Sequence, residues 1–390
     1  MQWIRKRRKL NKMNRLIIVG NGFDIHNGLE TSYAHFIDWY LKMAVEKAIM
    51  NKYEDKNLNI PSLRYTDALN TTGLRFEQTD KIISLLKEMK TIGGEPHTSE
   101  KIEITGSILL QTTKDIQNFG WADIEQIYYQ RLTTISSNHN LINDRTRLIT
   151  ELNESFEEIR KHLIAYLKGL KIEPKIFFKE TLKQPFDYDD FRIKYHDLIK
   201  KVGLVNIARH PENTMFVNFN YTNYWVNDVK TRRYLETRTE VINIHGDIEY
   251  TGSNSPFFGY GDETGPKYKN LESITNTDEW SKYFKTIYYL NTDNYKKILD
   301  FLDEDYFQVL IVGHSCGLSD KTLLNTIFDH QKCVNIKPFY FVDTKTEKDN
   351  WHSLMTNISR IFSNKEKMRE LVVSRDSSPN RQRNLFFSNL

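Results

Sequence analysis

The stretch Arg15-Leu-Ile-Ile-Val-Gly-Asn-Gly-Phe-Asp24 decides how this chain folds. Four successive apolar residues, Leu16 to Val19, have the composition of a strand buried on both faces. Gly20 and Gly22 then turn the chain sharply, Asp24 follows, and Gly28 ends the short helical turn that begins there. A buried strand that runs through glycines into a helix start lets backbone N–H groups approach a phosphate. The dinucleotide fingerprint puts a third glycine three residues after the second. Phe23, Asp24 and Ile25 fill that gap, so a tight turn without ligand stays open as the alternative.

Strand-like text returns at Thr214-Met-Phe-Val-Asn-Phe-Asn220, Val241-Ile-Asn-Ile-His245, Phe307-Gln-Val-Leu-Ile-Val-Gly313 and Pro338-Phe-Tyr-Phe-Val-Asp343, with Phe257-Phe258 as a shorter candidate. Helical text from Ser319 to His330 and over 346–364 falls between or after these runs. Apolar strands alternating with helices predict a parallel sheet covered on both faces. Between residues 41 and 205 the pattern is mostly helical, with one stripe through Leu152, Phe156, Ile159, Leu163, Leu167 and Leu170. Thr31-Ser32 reads as an N-cap for a helix through Phe36, Trp39, Tyr40 and Met43 to about Met50. Residues 51–80 are polar and mixed. The expectation is an α/β, Rossmann-like core over 13–40 and 206–373, a large α-helical insertion over 41–205, a basic extension over 1–12 and a flexible tail over 374–390.

A chain of 390 residues, 39% hydrophobic and 27% charged, is long enough for a sizeable core. It has no apolar run of membrane-spanning length and no signal-peptide pattern, so the expected compartment is the cytoplasm and no membrane partner is expected. Two cysteines, Cys316 and Cys333, exclude a disulfide framework or a four-cysteine zinc module. The eleven histidines include no His-x-His or His-Glu-x-x-His, so no metal is predicted. The formal charge is +4, but the first twelve residues hold six basic groups, and removing them leaves the body at −2. Nucleic acid is therefore expected only through that basic arm, and an upstream extension before Met13 is the favoured explanation of it.

Ligands of open parallel sheets bind at the carboxyl ends of the strands. Here those ends read Gly20-Asn21-Gly22-Phe23-Asp24, Asn218-Phe-Asn220-Tyr-Thr222, His245-Gly246-Asp247 and Gly313-His314-Ser315-Cys316-Gly317. Four polar or glycine-rich ends together predict a shared cleft. Taken singly, each is a turn: His245 before glycine, Asn220 satisfying local backbone, Asp24 capping its own turn, and Asp320 with Ser319 as an N-cap. Asp123 and Glu125 stand at alternate positions of a helix, so at most one is expected to face the cleft. Asp262-Glu263 reads as a lid or loop.

Gly20-Asn-Gly-Phe-Asp24, Trp121-Ala-Asp-Ile-Glu125, Asn218-Phe-Asn-Tyr-Thr222, Ile244-His-Gly246, Phe258-Gly-Tyr-Gly-Asp-Glu263 and Gly313-His-Ser-Cys-Gly-Leu-Ser-Asp320 together resemble the bacteriophage abortive-infection family AbiH, in order and over nearly the whole chain from Met13. That resemblance implies antiphage defence, with a phage-derived trigger as a candidate partner. More distantly, the strand-end set is similar to the sirtuin-like fold of antiphage NADases, which implies NAD or a related nucleotide as substrate; an off state is expected because a cell cannot tolerate unregulated loss of NAD. By that similarity His245 and Asn220 match the catalytic histidine and asparagine. Gly20, Asn21, Gly22 and Phe23 match the phosphate turn, Gly246 follows the histidine, and Gly313 and Ser315 match the adenosine-side turn. Asp24 and Asp320 join them as candidates, Asp24 for a ribose hydroxyl or the developing cation. Two departures stand out: Thr222 replaces an Asp, and Asn21-Gly22 replaces a small-residue turn. The expected chemistry is cleavage between nicotinamide and ribose through an oxocarbenium-like sugar. Its rivals are a serine hydrolase built from the Gly313-x-Ser315-x-Gly317 pattern with Asp343 and His352, and a nucleotide sensor without turnover. A homo-oligomer is left open.

Overall fold

A computed structural model describes residues 13–60, 106, 120–171, 184–200, 209–226, 229, 238–263, 265–273, 278–342 and 346–377. Five strands form one all-parallel sheet: β1 (Met13–Val19), β4 (Asn213–Asn218), β5 (Arg238–Asn243), β6 (Tyr306–Val312) and β7 (Cys333–Phe339), in the order β5-β4-β1-β6-β7. β1 is central, pairing Ile17 with Phe216 on one side and with Leu310 on the other. Its side chains alternate between two buried faces, as the apolar run required. Leu16 and Ile18 pack with Val309, Ile311, Leu323, Ile327 and Ile358. Ile17 and Val19 pack with Phe23, Phe216, Trp225 and Val312. The first of these faces is covered by α5 (Asn294–Glu304), α6 (Lys321–Phe328), α7 (Trp351–Ile361) and α8 (Lys365–Leu371), which contribute Ile298, Leu302, Leu324, Leu354 and Leu371 to it.

The chain passes from the core into the helical insertion along one helix. After α1 (Asn21–His26), α2 (Tyr33–Met50) starts at Ser32, whose side chain accepts from His35 N, the N-cap read from the sequence. A two-residue hairpin, β2 (Tyr53–Glu54) with β3 (Asn59–Ile60), follows, then α3 (Trp121–Ser137) and α4 (Arg145–Gly169). The predicted α4 stripe is buried against α2 and α3, with Phe156 stacked on Tyr128 at 4.3 Å and on Phe258 at 4.7 Å.

Three expectations need correction. Phe257-Phe258 is not a strand; the neighbouring Tyr260 makes only an isolated bridge to Phe284. The hairpin at 53–60 was not foreseen. The last strand begins at Cys333, five residues before Pro338. Its polar residues concealed it, and they are paired across the sheet: Arg15 Nε donates to Gln308 Oε1 at 3.1 Å and Gln308 Nε2 to Asn335 Oδ1 at 2.8 Å. Lys337 Nζ lies 2.7 Å from each Asp190 oxygen. Pro338 is tolerated because β7 is an edge strand.

Candidate functional site

The carboxyl ends of all five strands open into one cavity of about 1250 Å³. Four inter-strand spacings of ~4.8 Å make this edge roughly 19 Å long, enough for an extended dinucleotide. Among the predicted site residues, Gly20, Asn21, Gly22, Phe23, Asp24, Asn220, His245, Gly313, Ser315 and Asp320 line it together. Gly246 does not; it turns the chain behind His245 at φ +80°, where a Cβ would meet Ser255 O at 2.3 Å. The insertion closes one side through Trp121, whose Nε1 donates to Thr31 O at 2.9 Å. Asp123 and Glu125 both border the cavity, but only one of the two side chains goes inward, in line with the expectation. Asp123 turns to the rim and accepts from Gly120 N, whereas Glu125 goes inward. Asp262 and Glu263 lie off the cavity, with Asp262 paired to Lys321 at 3.3 Å.

The two glycine turns lock into each other. Gly20 N donates to Val312 O and Gly22 N to Gly313 O at 2.8 Å, and Phe23 N returns to Gly20 O. A Cβ on Gly20 would lie 2.5 Å from His314 Cα, and one on Gly313, which has φ +67°, 2.1 Å from Phe23 N. These glycines therefore permit turn-on-turn packing. The amides of Gly20, Gly22 and Phe23, expected to meet a phosphate, already have carbonyl partners. Among the described lining residues, the one Lys or Arg side chain is Arg360 of α7.

Asp24 is buried between the ends of β1 and β4. Asn220 Nδ2 donates to its Oδ1 at 2.9 Å and Thr222 Oγ1 to its Oδ2 at 2.5 Å. Burial pushes this carboxyl up to about 7, against the pull of the Thr222 and Asn220 hydrogen bonds. Thr222 suits this place because it donates; an Asp there would set a second carboxylate against Asp24.

A chain of buried charge lies on the other side of His245. Lys285, wholly buried in a short helical turn (Lys285–Tyr288), sits 2.7 Å from Asp320 Oδ1 and 3.0 Å from Glu125 Oε2. Gly259 N donates to Glu125 Oε1. His245 Nε2 approaches Asp320 Oδ1 to 3.1 Å but not in line for a hydrogen bond, so this buried nitrogen has no aligned partner. His314 Nε2 is 3.5 Å from Asp320 Oδ2, while its Nδ1 accepts from Cys316 N. Burial alone would raise the Asp320 carboxyl, yet Lys285 and His245 hold it well below the carboxylate range. Burial, then the Lys285 charge, push His245 down to about 4, so its imidazole is neutral at pH 7. The capping explanation of Asp320 fails, because the following helix has no side-chain cap bond and the carboxylate faces Lys285. Lys285 was missed, since a lone lysine gives no sequence signal for burial.

The geometry does not favour the hydrolase triad. Ser315 is exposed at the cavity, but the left-handed residues of its turn are Gly313 and Cys316, at φ +67° and +54°, and Cys316 is buried with its thiol pushed far up by burial. His352 is exposed on α7 and off the cavity, and Asp343 lies outside the described residues. Among the described residues one cluster has metal-ligand chemistry: Asp55, Glu158 and His162 in the insertion. Its central oxygen, Asp55 Oδ2, already accepts from the Tyr40 and Tyr53 hydroxyls, and Oδ1 accepts from the Asn57 and Leu58 amides.

No curated protein matches the chain. A family model described as bacteriophage abortive infection AbiH matches residues 16–342, which takes in β1, the insertion and the strand-end turns after β4, β5 and β6. With more than half its length matched, the chain belongs to the AbiH family of phage abortive-infection proteins.

Proposed function

We propose that this member of an abortive-infection family is a nucleotide hydrolase that splits NAD into nicotinamide and ADP-ribose. One observation carries the reading: two buried aspartates in one cleft are perturbed in opposite directions, beside a buried histidine nitrogen without an aligned partner. Titratable pairs pushed apart in this way mark acid–base chemistry.

Nicotinamide leaves NAD as a pyridinium, so the bond to ribose breaks without an acid, and the ring takes the bonding electrons. The sugar becomes oxocarbenium-like. Water adds to it and must lose a proton. His245, neutral, lining the cavity and with no aligned partner on Nε2, is suited to accept that proton or a ribose hydroxyl hydrogen bond. Ionised Asp320 steadies the imidazolium that results. Asn220 orients Asp24, whose carboxyl near 7 is suited to bind a ribose hydroxyl or to offset the cationic sugar. Arg360 is the lining cation available to a diphosphate.

The test is purified full-length protein with NAD, following nicotinamide and ADP-ribose by chromatography, with His245→Ala and Ser315→Ala alongside. Release by wild type and Ser315→Ala, lost in His245→Ala, is the expected result. Release that survives His245→Ala overturns the mechanism, and binding of NAD without turnover identifies a sensor instead.

A further inference from the structure

We propose that Lys285 is a positioning residue: clamped between Glu125 of α3 and Asp320, it fixes the Asp320 carboxylate against His245, so that docking of the helical insertion sets the state of the site. The proposal deepens, and rests on, the hydrolase reading above. Four separate segments meet at this lysine. Lys285 N donates to Tyr260 O at 2.9 Å, which ties its helical turn to residues 257–261. That same segment gives Gly259 N to Glu125. Gly261 leaves room for the lysine stem, since a Cβ there would lie 3.2 Å from Lys285 Cβ. Gly261 O in turn accepts from Thr322 N at 3.0 Å, two residues after Asp320. Among the described residues the insertion contributes one charged group to this knot, the Glu125 carboxylate, and both its oxygens accept from N–H donors.

The electrostatic consequence follows from position. A buried ammonium facing two carboxylates stays charged, and Lys285 is raised above its ordinary value by Asp320 and Glu125 despite burial. Its charge holds Asp320 ionised and at the same time disfavours a proton on His245. The other groups facing His245 are His314, which also disfavours that proton, and the rings of Phe219 at 5.1 Å and Tyr221 at 6.3 Å. The Tyr221 hydroxyl donates to Phe257 O. The imidazole is thus held neutral, with Nε2 beside the Asp320 carboxylate.

The experiment is an imidazole NMR titration of the full chain, with the His245 signal assigned through His245→Gln. In wild type, His245 stays neutral down to pH 5. Lys285→Gln removes the repelling charge and leaves Asp320 uncompensated, so the His245 midpoint moves up by about one unit or more. Glu125→Gln, which keeps the side-chain shape, leaves Lys285 less neutralised, so the midpoint stays low or falls further. A merely structural role does not predict that loss of Lys285 raises the midpoint while loss of the Glu125 charge does not. A wild-type midpoint at the ordinary 6.5 overturns the proposal and needs no variant to fold. Equal midpoints in all three proteins overturn it too. If the shifts occur but wild type releases no nicotinamide from NAD, the positioning role stands and the hydrolase reading falls. If wild type releases nicotinamide, the acid limb of its pH profile should rise with Lys285→Gln.

Discussion

Replacing Asp24 by Asn should stabilise the protein, and more so as the pH rises. In the unfolded chain this carboxyl titrates near 3.8, whereas in the fold burial moves it to about 7. Between those values the unfolded chain has released the proton and the fold retains it. Folding then takes up a proton, so stability falls as pH rises through this window and levels off above 7. At 1.36 kcal/mol per pH unit, the penalty relative to an unperturbed group is about 4 kcal/mol at pH 8 and a little under 2 kcal/mol at pH 5. Asn occupies the same volume, carries no charge, keeps an oxygen for Asn220 Nδ2, and offers an N–H to Thr222 Oγ1. The advantage of Asp24→Asn over wild type should therefore grow by roughly 2 to 3 kcal/mol between pH 5 and pH 8. Urea unfolding of both proteins at the two pH values measures it. An Asn variant less stable than wild type at pH 8, or a difference that ignores pH, would refute the claim that Asp24 is an uncompensated buried acid.

Two further outcomes follow from the packing. Gly313→Ala should destabilise by about 3 kcal/mol or more, because a Cβ at φ +67° would stand 2.1 Å from Phe23 N; urea midpoints read this directly. Lys337→Met should destabilise by about 1 to 3 kcal/mol, because the buried Asp190 carboxylate loses one ion-pair partner while the Arg15 charge still faces it; urea midpoints measure the loss.

How far the sequence carried depended on whether a residue's job left a pattern. The apolar runs of β1 and β6 announce their strands, and the polar turns that follow them announce a cleft, because a strand buried on both faces must change composition where it leaves the sheet. β7 hid its start, because Asn335 is satisfied by Gln308 of the neighbouring strand and Lys337 by Asp190 of a distant segment, contacts no local window contains. The hairpin at 53–60 is too short to show a period. Gly20 and Gly22 drew the right conclusion, a special turn, for an incomplete reason: approach by a ligand and approach by Gly313 both demand that a Cβ be absent. Lys285 was invisible, since a lysine by itself reads as solvated, and only the fold brings Glu125 and Asp320 to it across 160 and 35 residues.

The same contrast bears on whether the cleft is a site or a packing accident. A fold that needed only to fill the space beside Asn220 and Thr222 would do so at lower cost with Asn at position 24. The aspartate forfeits free energy at neutral pH although Thr222, Asn220 and Tyr224 all donate to it. Asp320, some turns away in the same cavity, is treated in the opposite manner, with a buried lysine brought in to keep it ionised. Packing has no use for that pair of opposite provisions, one acid left to hold its proton and the other prevented from holding one. The proposed proton transfer at a bound ligand would use both, with Asp24 at the end of β1 and His245 at the end of β5.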